Sequence, residues 1–495
     1  MLSGISTQVY PTATGNGGNT NINTGRLVLR DGGQISTSTY GKGSSGSLNI
    51  SARDSIELLG STTGNIFSAL LNSVNVGATG NGGNLNIDTG KLIVRDGAQV
   101  FTGTYGKGSS GSLNISARDS VELIGRFSNR YGSALATLVG SGATGNGGNL
   151  NLATKKVIVR NGAVISSSTQ GEGNAGSLGI KASNSVELLG KSSSGISSTL
   201  SAQTRGIANA GGINIETANL NIRDGARVNV SSTGLGNAGN ISFQAKTISF
   251  DQGTVTAATT SGEGGDIFLQ SQNVQLRNGS NITATAGGSG NGGNITINTG
   301  TLAALPNENS DISANAIQGR GGNIRISTQG LFGTQFRGQP TSSSDITASS
   351  QFGVNGVVDI RNLGFDVQNA ITPFAANFVS TEQVLANSCL AHRNKQQGRF
   401  VVTGSGALPL SPLSDIEEFP YLTAVQVKRQ EGKKTQQRSH SSVAPISSPA
   451  LLWKEGDPVV EAQAIVKTAD GRTLLGMSPN SVEPKPVSQL VCQGN

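Results

Sequence analysis

One phrase recurs along this chain: a knot of glycines followed by an alternating strand. It reads Gly15-Asn16-Gly17-Gly18-Asn19-Thr20-Asn21-Ile22, then Gly43-Ser44-Ser45-Gly46-Ser47-Leu48-Asn49-Ile50. It returns from Gly80, Gly108, Gly145, Gly173, Ala208, Gly236, Gly262, Gly290, Gly319 and, more loosely, Gly353. The steps between these anchors are 28, 37, 28, 37, 28, 35, 28, 26, 28, 29 and 34 residues. A period in this range is the signature of a solenoid, whose units bury their apolar faces only against their neighbours. It also sets how every other motif is read, because a pattern present in every repeat is scaffold.

Within the repeat from Gly80, Leu85-Asn86-Ile87 alternates and Lys91-Leu92-Ile93-Val94 is an apolar run. Arg95-Asp96-Gly97 makes a turn, and Gln99-Val100-Phe101-Thr102 alternates again. Three short runs of period two, split by Gly, Asn and Asp, predict three strands and three turns per coil. Nothing sustains a helical period. The expected fold is therefore all-β: a right-handed parallel β-helix of about 12 coils, which at the ordinary strand spacing makes a rod about 60 Å long. Leu, Ile and Val, among them Ile87, Ile115, Ile180, Ile215 and Ile297, are expected to stack inward. Asn, Ser and Thr, including Asn86 and Asn114, are expected to face out.

Proline usage agrees. None of the 13 prolines lies between Pro11 and Pro306. Every inner strand of a solenoid is hydrogen-bonded on both edges, so a proline would cost a ladder bond almost anywhere. The same absence argues against the disorder that 71 glycines would otherwise suggest. The 37- and 35-residue coils alternate with 28-residue ones, and their extra residues, such as Ser61 to Ala78 and Arg126 to Ala143, are expected to bulge from one side. Loops on a rigid scaffold commonly carry binding, so recognition is expected there.

Charged residues make up 13% of the chain, aromatics 4%, and the net charge is +7. No dense basic run is interleaved with aromatics, so no nucleic-acid partner is expected. The cluster Lys428, Arg429, Lys433, Lys434 and Arg438 sits in a Gln/Ser-rich stretch and reads as a solvated linker. Cys389 and Cys492 read either as two ordinary thiols or, in an exported protein, as a disulfide stapling the tail. No run approaches the length of a membrane helix, and Met1 to Thr14 has neither the basic start nor the apolar centre of a signal peptide. Ser3-Gly4-Ile5-Ser6 resembles Ser194-Gly195-Ile196-Ser197, so the chain starts inside a repeat. It is therefore expected to be the C-terminal part of a longer protein, or the product of a split or mis-started reading frame.

Composition shifts after about residue 365, and nine of the 13 prolines lie between Pro409 and Pro486. The expected organisation is β-helix repeats over 1–365, a closing segment over 366–425, a polar linker over 426–456 and a terminal hairpin and tail over 457–495. The hairpin is read from Val459 to Val466, a turn at Asp470-Gly471, and Thr473-Leu474-Leu475. The tail carries a more specific signature. Asp345-Ile346-Thr347-Ala348-Ser349-Ser350 leads into Phe352-Gly353-Val354-Asn355-Gly356. Then come Asn387-Ser388-Cys389, the run from Gly398 to Pro409, Ser411-Pro412 and Glu461-Ala462-Gln463. This order resembles the C-terminal end of the filamentous-haemagglutinin-like exoproteins of the two-partner secretion class, of the cyanobacterial type. The repeats resemble their β-helical shaft, so the resemblance covers nearly the whole chain; the family's N-terminal secretion domain and signal peptide have no counterpart in it.

The resemblance implies a non-catalytic, adhesin-like shaft, extracellular or at the outer-membrane surface. An outer-membrane secretion pore would be the partner of the full-length protein, and cell-surface glycans or other cells its contacts. No cofactor, metal or catalytic residue is assigned. The dinucleotide pattern G-x-G-x-x-G occurs at Gly41, Gly106, Gly171, Gly234 and Gly288, but no helix follows to hold a pyrophosphate. Arg-Asp-Gly at Arg30, Arg95 and Arg223 reads as a turn whose charges are expected to pair along the rod. Only Gly264-Gly265-Asp266 approximates a calcium β-roll, and Cys389, His392, His440 and Cys492 do not make a zinc set. The enzyme alternative is a β-helical polysaccharide lyase or hydrolase, which needs clustered carboxylates, whereas Asp54, Asp96 and Asp224 fall one per coil. A third reading is an outward Thr/Ser face for ice or glycan, from Thr37-Ser38-Thr39, Thr102-Gly103-Thr104 and Ser167-Ser168-Thr169.

Overall fold

The computed structural model describes residues 3–60, 66–128 and 131–362, together with two short strands at 464–467 and 473–476. By its internal contacts the chain divides into two units, Met1–Ile371 and Thr372–Asn495. The first is a parallel β-helix. Up to Ile324–Thr328 its strands alternate between two sheets, each inner strand pairing in parallel with its equivalent one coil above and one below. One sheet holds the long strands, such as Leu48–Leu59, Leu85–Arg95 and Leu113–Ile124. The other holds the short ones, such as Gln34–Thr39, Ala69–Val74 and Gln99–Thr104. The only helical element among the described residues is a single 3-10 turn, Pro306–Glu308.

The predicted first and second strands of each coil are one strand. In Leu85–Arg95 the buried alternation Leu85, Ile87, Thr89 slips phase at Gly90 and resumes at Leu92 and Val94. The slip bends the strand round a corner, with pairing resumed at Lys91 in the same sheet, so three faces are built from two sheets. The alternate strand Leu48–Leu59 carries one more residue at the same corner, where its register shifts against its neighbours. That is a β-bulge, the ordinary device for bending a strand. Between the short strands and the knots the coils are held by single bridges, as in Thr14 to Lys42 to Thr79 to Lys107.

Stacking in register turns the apolar positions into columns. One runs through Leu48, Leu85, Leu113, Leu150, Leu178, Ile213, Ile241, Ile267, Ile295 and Ile324. The predicted inward isoleucines Ile87, Ile115, Ile180, Ile215 and Ile297 are all buried. Full burial of such a side chain contributes about 1.5–3 kcal/mol, repeated at several positions in every coil.

The glycine knots have a steric cause. A Cβ at Gly111 would land on the Gly83 carbonyl oxygen, and one at Gly148 on that of Gly111. The same holds at Gly43 against Gly15 and at Gly108 against Gly80. Two columns of the knot thus stack backbone on backbone with no room for a side chain. The polar residues between the glycines do the joining: Asn16 Oδ1 accepts from the Ser44 N–H at 2.9 Å, and Asn19 Oδ1 from Ser47 at 2.8 Å. Asn81 and Asn84 repeat this toward Ser109 and Ser112. Opposite the knot, the Arg-Asp-Gly turns put Asp31, Asp96, Asn161 and Asp224 at φ of 53–58°. Asp and Asn tolerate this left-handed region, and the glycine that follows is also positive.

The second unit contributes the expected hairpin: Ala464–Lys467 pairs antiparallel with Thr473–Gly476. The turn at Asp470-Gly471 lies outside the described residues, as do the closing segment, the linker, both cysteines and both histidines.

Candidate functional site

A groove lies along the outward side of the long strands. There Asn21, Asn49, Asn86, Asn114 and Asn151 stack one per coil and form an amide ladder. Asn49 Nδ2 donates to Asn21 Oδ1 at 2.7 Å, Asn86 to Asn49 at 2.7 Å, Asn114 to Asn86 at 2.9 Å and Asn151 to Asn114 at 3.0 Å. Each inner amide spends one N–H and one lone pair on its neighbours and keeps one of each. Gly179 ends the ladder. The groove, of about 830 Å³, follows these asparagines, lined also by Ser51, Asp88, Ser116 and Lys181. Asp88 is the only carboxylate in its lining. Lys181 is paired with Glu216 at 3.1 Å.

The longer coils provide a second surface, smaller than the sequence suggested. Ala69–Val74 and Ala134–Val139, read as parts of bulging loops, are short strands of the stack. The departures from the stack fall at corner segments, described over 66–68, 125–128 with 131–133, and 190–198. In the last two, antiparallel bridges join Arg126 to Gly132 and Lys191 to Ser197. A buried serine anchors each: Ser68 Oγ donates to Leu59 O at 2.8 Å, Ser133 Oγ to Ile124 O at 2.8 Å and Ser198 Oγ to Leu189 O at 2.7 Å. The same oxygens accept from Gly32, Gly97 and Gly162 of the preceding coil. Phe67 and Tyr131 join the first two segments, ring centroids 4.5 Å apart. Between the second and third lies a pocket of about 540 Å³ lined by Asp96, Arg126, Phe127, Asn161, Lys191 and Ser192 to Ser194. Arg126 Nη1 donates to Gly162 O at 2.6 Å, and burial pulls its pKa below the usual arginine value.

The expected Thr/Ser face is not a face. Thr37, Thr39, Thr102, Thr104, Ser167 and Thr169 are at most 1% exposed and point into the rod. Thr102 Oγ1 donates to Gly111 O at 2.8 Å, Ser167 Oγ to Gly148 O at 3.2 Å and Thr169 Oγ1 to Gly173 O at 2.7 Å. Asn72 sits among them, donating to Thr37 Oγ1 and Gly46 O while accepting from Ser45 Oγ. The glycine knots present carbonyl groups to the interior, and buried carbonyls need donors. An ice- or glycan-binding role for these columns is therefore withdrawn.

Other sequence motifs resolve into scaffold. Each G-x-G-x-x-G run leads into a strand, the first into Leu48–Leu59. Asp266 accepts from the Asn294 N–H at 2.8 Å, the same link the knot asparagines make. The Arg-Asp-Gly arginines and aspartates do not pair with one another along the rod among the described residues; Arg95 reaches Glu122 of the next coil at 3.8 Å instead, beside a charged ladder of Arg26–Glu57, Lys91–Glu122 and Lys156–Glu187 at 2.7–2.9 Å. Among the described residues no group of three or more His, Cys, Asp or Glu is placed to hold a metal ion. The amide ladder and the serine anchors went unread in the sequence, although Asn recurs two residues into many long strands and Ser nine residues after Leu59, Ile124 and Leu189.

Comparison with protein-family models, with curated proteins and with solved structures finds no match to this chain.

Proposed function

We propose that the chain is the β-helical shaft of a filamentous-haemagglutinin-like exoprotein, a non-catalytic rod that displays surface for attachment outside the cell. The unbroken register supports this most: from Leu48 to Ile324 the columns run without any coil leaving the stack to gather catalytic groups. Export through an outer-membrane pore and display at the outer-membrane surface or in the medium belong to the same reading, which rests on the tail signature. The lyase or hydrolase alternative needs a second carboxylate near Asp88 in the groove, and the lining offers none. The test is to incubate the folded chain with whole cells and with a panel of acidic and neutral polysaccharides. Retention on cells or glycans without product is expected. Release of unsaturated or reducing ends, abolished by Asp88→Asn, would replace the adhesive reading with an enzymatic one.

A further inference from the structure

If a pattern common to all coils is scaffold, recognition belongs where one coil departs from the rest. On the outward side of the short strands, register aligns Phe101 with Leu71 and Ala136, and Gly103 with Ser73 and Leu138. Phe101 lies over Gly103, where a Cβ would collide with the ring edge. Tyr105 lies over Gly140 of the next coil in the same manner. Each glycine removes the one atom that would lift the ring off the sheet. The rings therefore rest against the rod and stand 6.2 Å apart, within 25° of parallel. Both residues are half-buried.

The short strands around them carry no charge. Gln34–Thr39, Ala69–Val74, Gln99–Thr104, Ala134–Val139 and Val164–Thr169 contain no Asp, Glu, Lys or Arg. The Tyr105 hydroxyl has no partner among the described residues. Asn75 Nδ2 donates to Ser73 Oγ at 3.1 Å and to Thr39 O at 3.3 Å, which leaves its Oδ1 open one coil from Tyr105.

We propose that Phe101 and Tyr105 form a stacking floor for one neutral sugar ring of a glycan, with the Tyr105 hydroxyl and Asn75 Oδ1 meeting its hydroxyl groups. A pyranose carries an apolar C–H face and a polar rim, the complement of flat rings edged by a hydroxyl and an amide. A protein partner fits poorly: two aromatic side chains bury roughly 150–250 Å² each, against about 800 Å² per partner in a stable interface. A nucleobase would bring phosphates to strands that carry no cation of their own. The choice of ligand class rests on the adhesive reading; the platform itself rests on the ring geometry.

The experiment is saturation-transfer NMR and calorimetry on the full chain with neutral hexose oligosaccharides and, separately, uronate oligosaccharides. Neutral sugars should bind. Phe101→Ala and Tyr105→Ala should each weaken binding by about tenfold or more, as loss of a stacking ring does elsewhere. Phe101→Trp, which keeps a floor, should retain it, and Gly140→Val, which lifts Tyr105, should lose it with unchanged circular dichroism. No neutral-sugar binding, or binding indifferent to Phe101 and Tyr105, would overturn the site; so would preference for uronates. Cell attachment that survives Phe101→Ala would remove this site and keep the adhesive function, while sugar binding without attachment would do the reverse.

Discussion

At the residue scale, the interior hydroxyls give the sharpest contrasts. Thr104 is buried and its Oγ1 finds no partner, while Val74 and Val139 occupy the same column on either side. Thr104→Val should therefore raise stability by about 1 kcal/mol, seen as a higher denaturant midpoint with unchanged slope. Thr102→Val should lower it, because the Gly111 carbonyl loses its donor. The outward asparagines are less tolerant than simple exposure implies. Asn114→Ser breaks two ladder bonds and should cost about 1–2 kcal/mol, whereas Ile115→Asp buries an unpaired charge and should cost about 4 kcal/mol or more. Equal midpoints for the two variants would mean that the strand register is misassigned. Acid acts through the charged ladder. The hydrogen bond from Arg26 holds Glu57 below the usual carboxylate range; at Glu122 burial opposes, but the hydrogen bond and charge of Lys91 prevail. Depressed carboxylates contribute stability above their unfolded pKa of about 4.3 and lose it as pH falls through the lower folded value. Stability should drop on acidification below about pH 4.3, and Glu57→Gln with Glu122→Gln should flatten that drop by a few tenths of a kcal/mol, since both pairs reach solvent.

At the scale of the element, the corner segments and the strands obey different rules. Replacing 126–132 by a two-residue Asp-Gly turn should leave the melting temperature nearly unchanged, because the strands on either side stay in register. Ser133→Ala alone should be more damaging than that whole deletion, since Ser133 bonds both Ile124 O and the Gly97 N–H. Differential scanning of the two variants decides it. Much of this layer was legible in the sequence, and the exceptions have physical reasons. Period two locates Leu85, Ile87, Leu92 and Val94 correctly, but it cannot tell two strands from one strand with a phase slip at Gly90. Threonine is favoured on solvated strand faces, so Thr37 and Thr102 were placed outside. Only the knot carbonyls, which appear once the coil is closed, give those hydroxyls a reason to be within. The extra length of the 37-residue coils was located rightly but overdrawn, because Ala69–Val74 lacks the Gln-Val or Gln-Ile start that marks its neighbours.

For the whole molecule, stability is a sum over coils and the contacts between adjacent coils. Ile180→Asp should therefore split unfolding into two transitions, one on each side of the damaged coil, instead of shifting a single one. A single cooperative transition at lower temperature would mean that coupling along the rod is stronger than nearest-neighbour. The knots carry one further consequence. Their side-chain links join residues 28 apart at Asn16 and Ser44, 37 at Ser44 and Asn81, 35 at Asn174 and Asn209, 26 at Asn237 and Glu263, 29 at Asn291 and Arg320 and 34 at Asn323 and Val357. The joint is indifferent to how much chain intervenes. A gene encoding such a molecule can gain or lose a 65-residue pair, the interval from Arg53 to Arg118, and leave every other joint as it was. The β-helix is in effect a ruler whose graduations survive cutting and splicing: duplicating one pair should lengthen the β-helix by about 10 Å, two strand spacings and no more, in solution scattering.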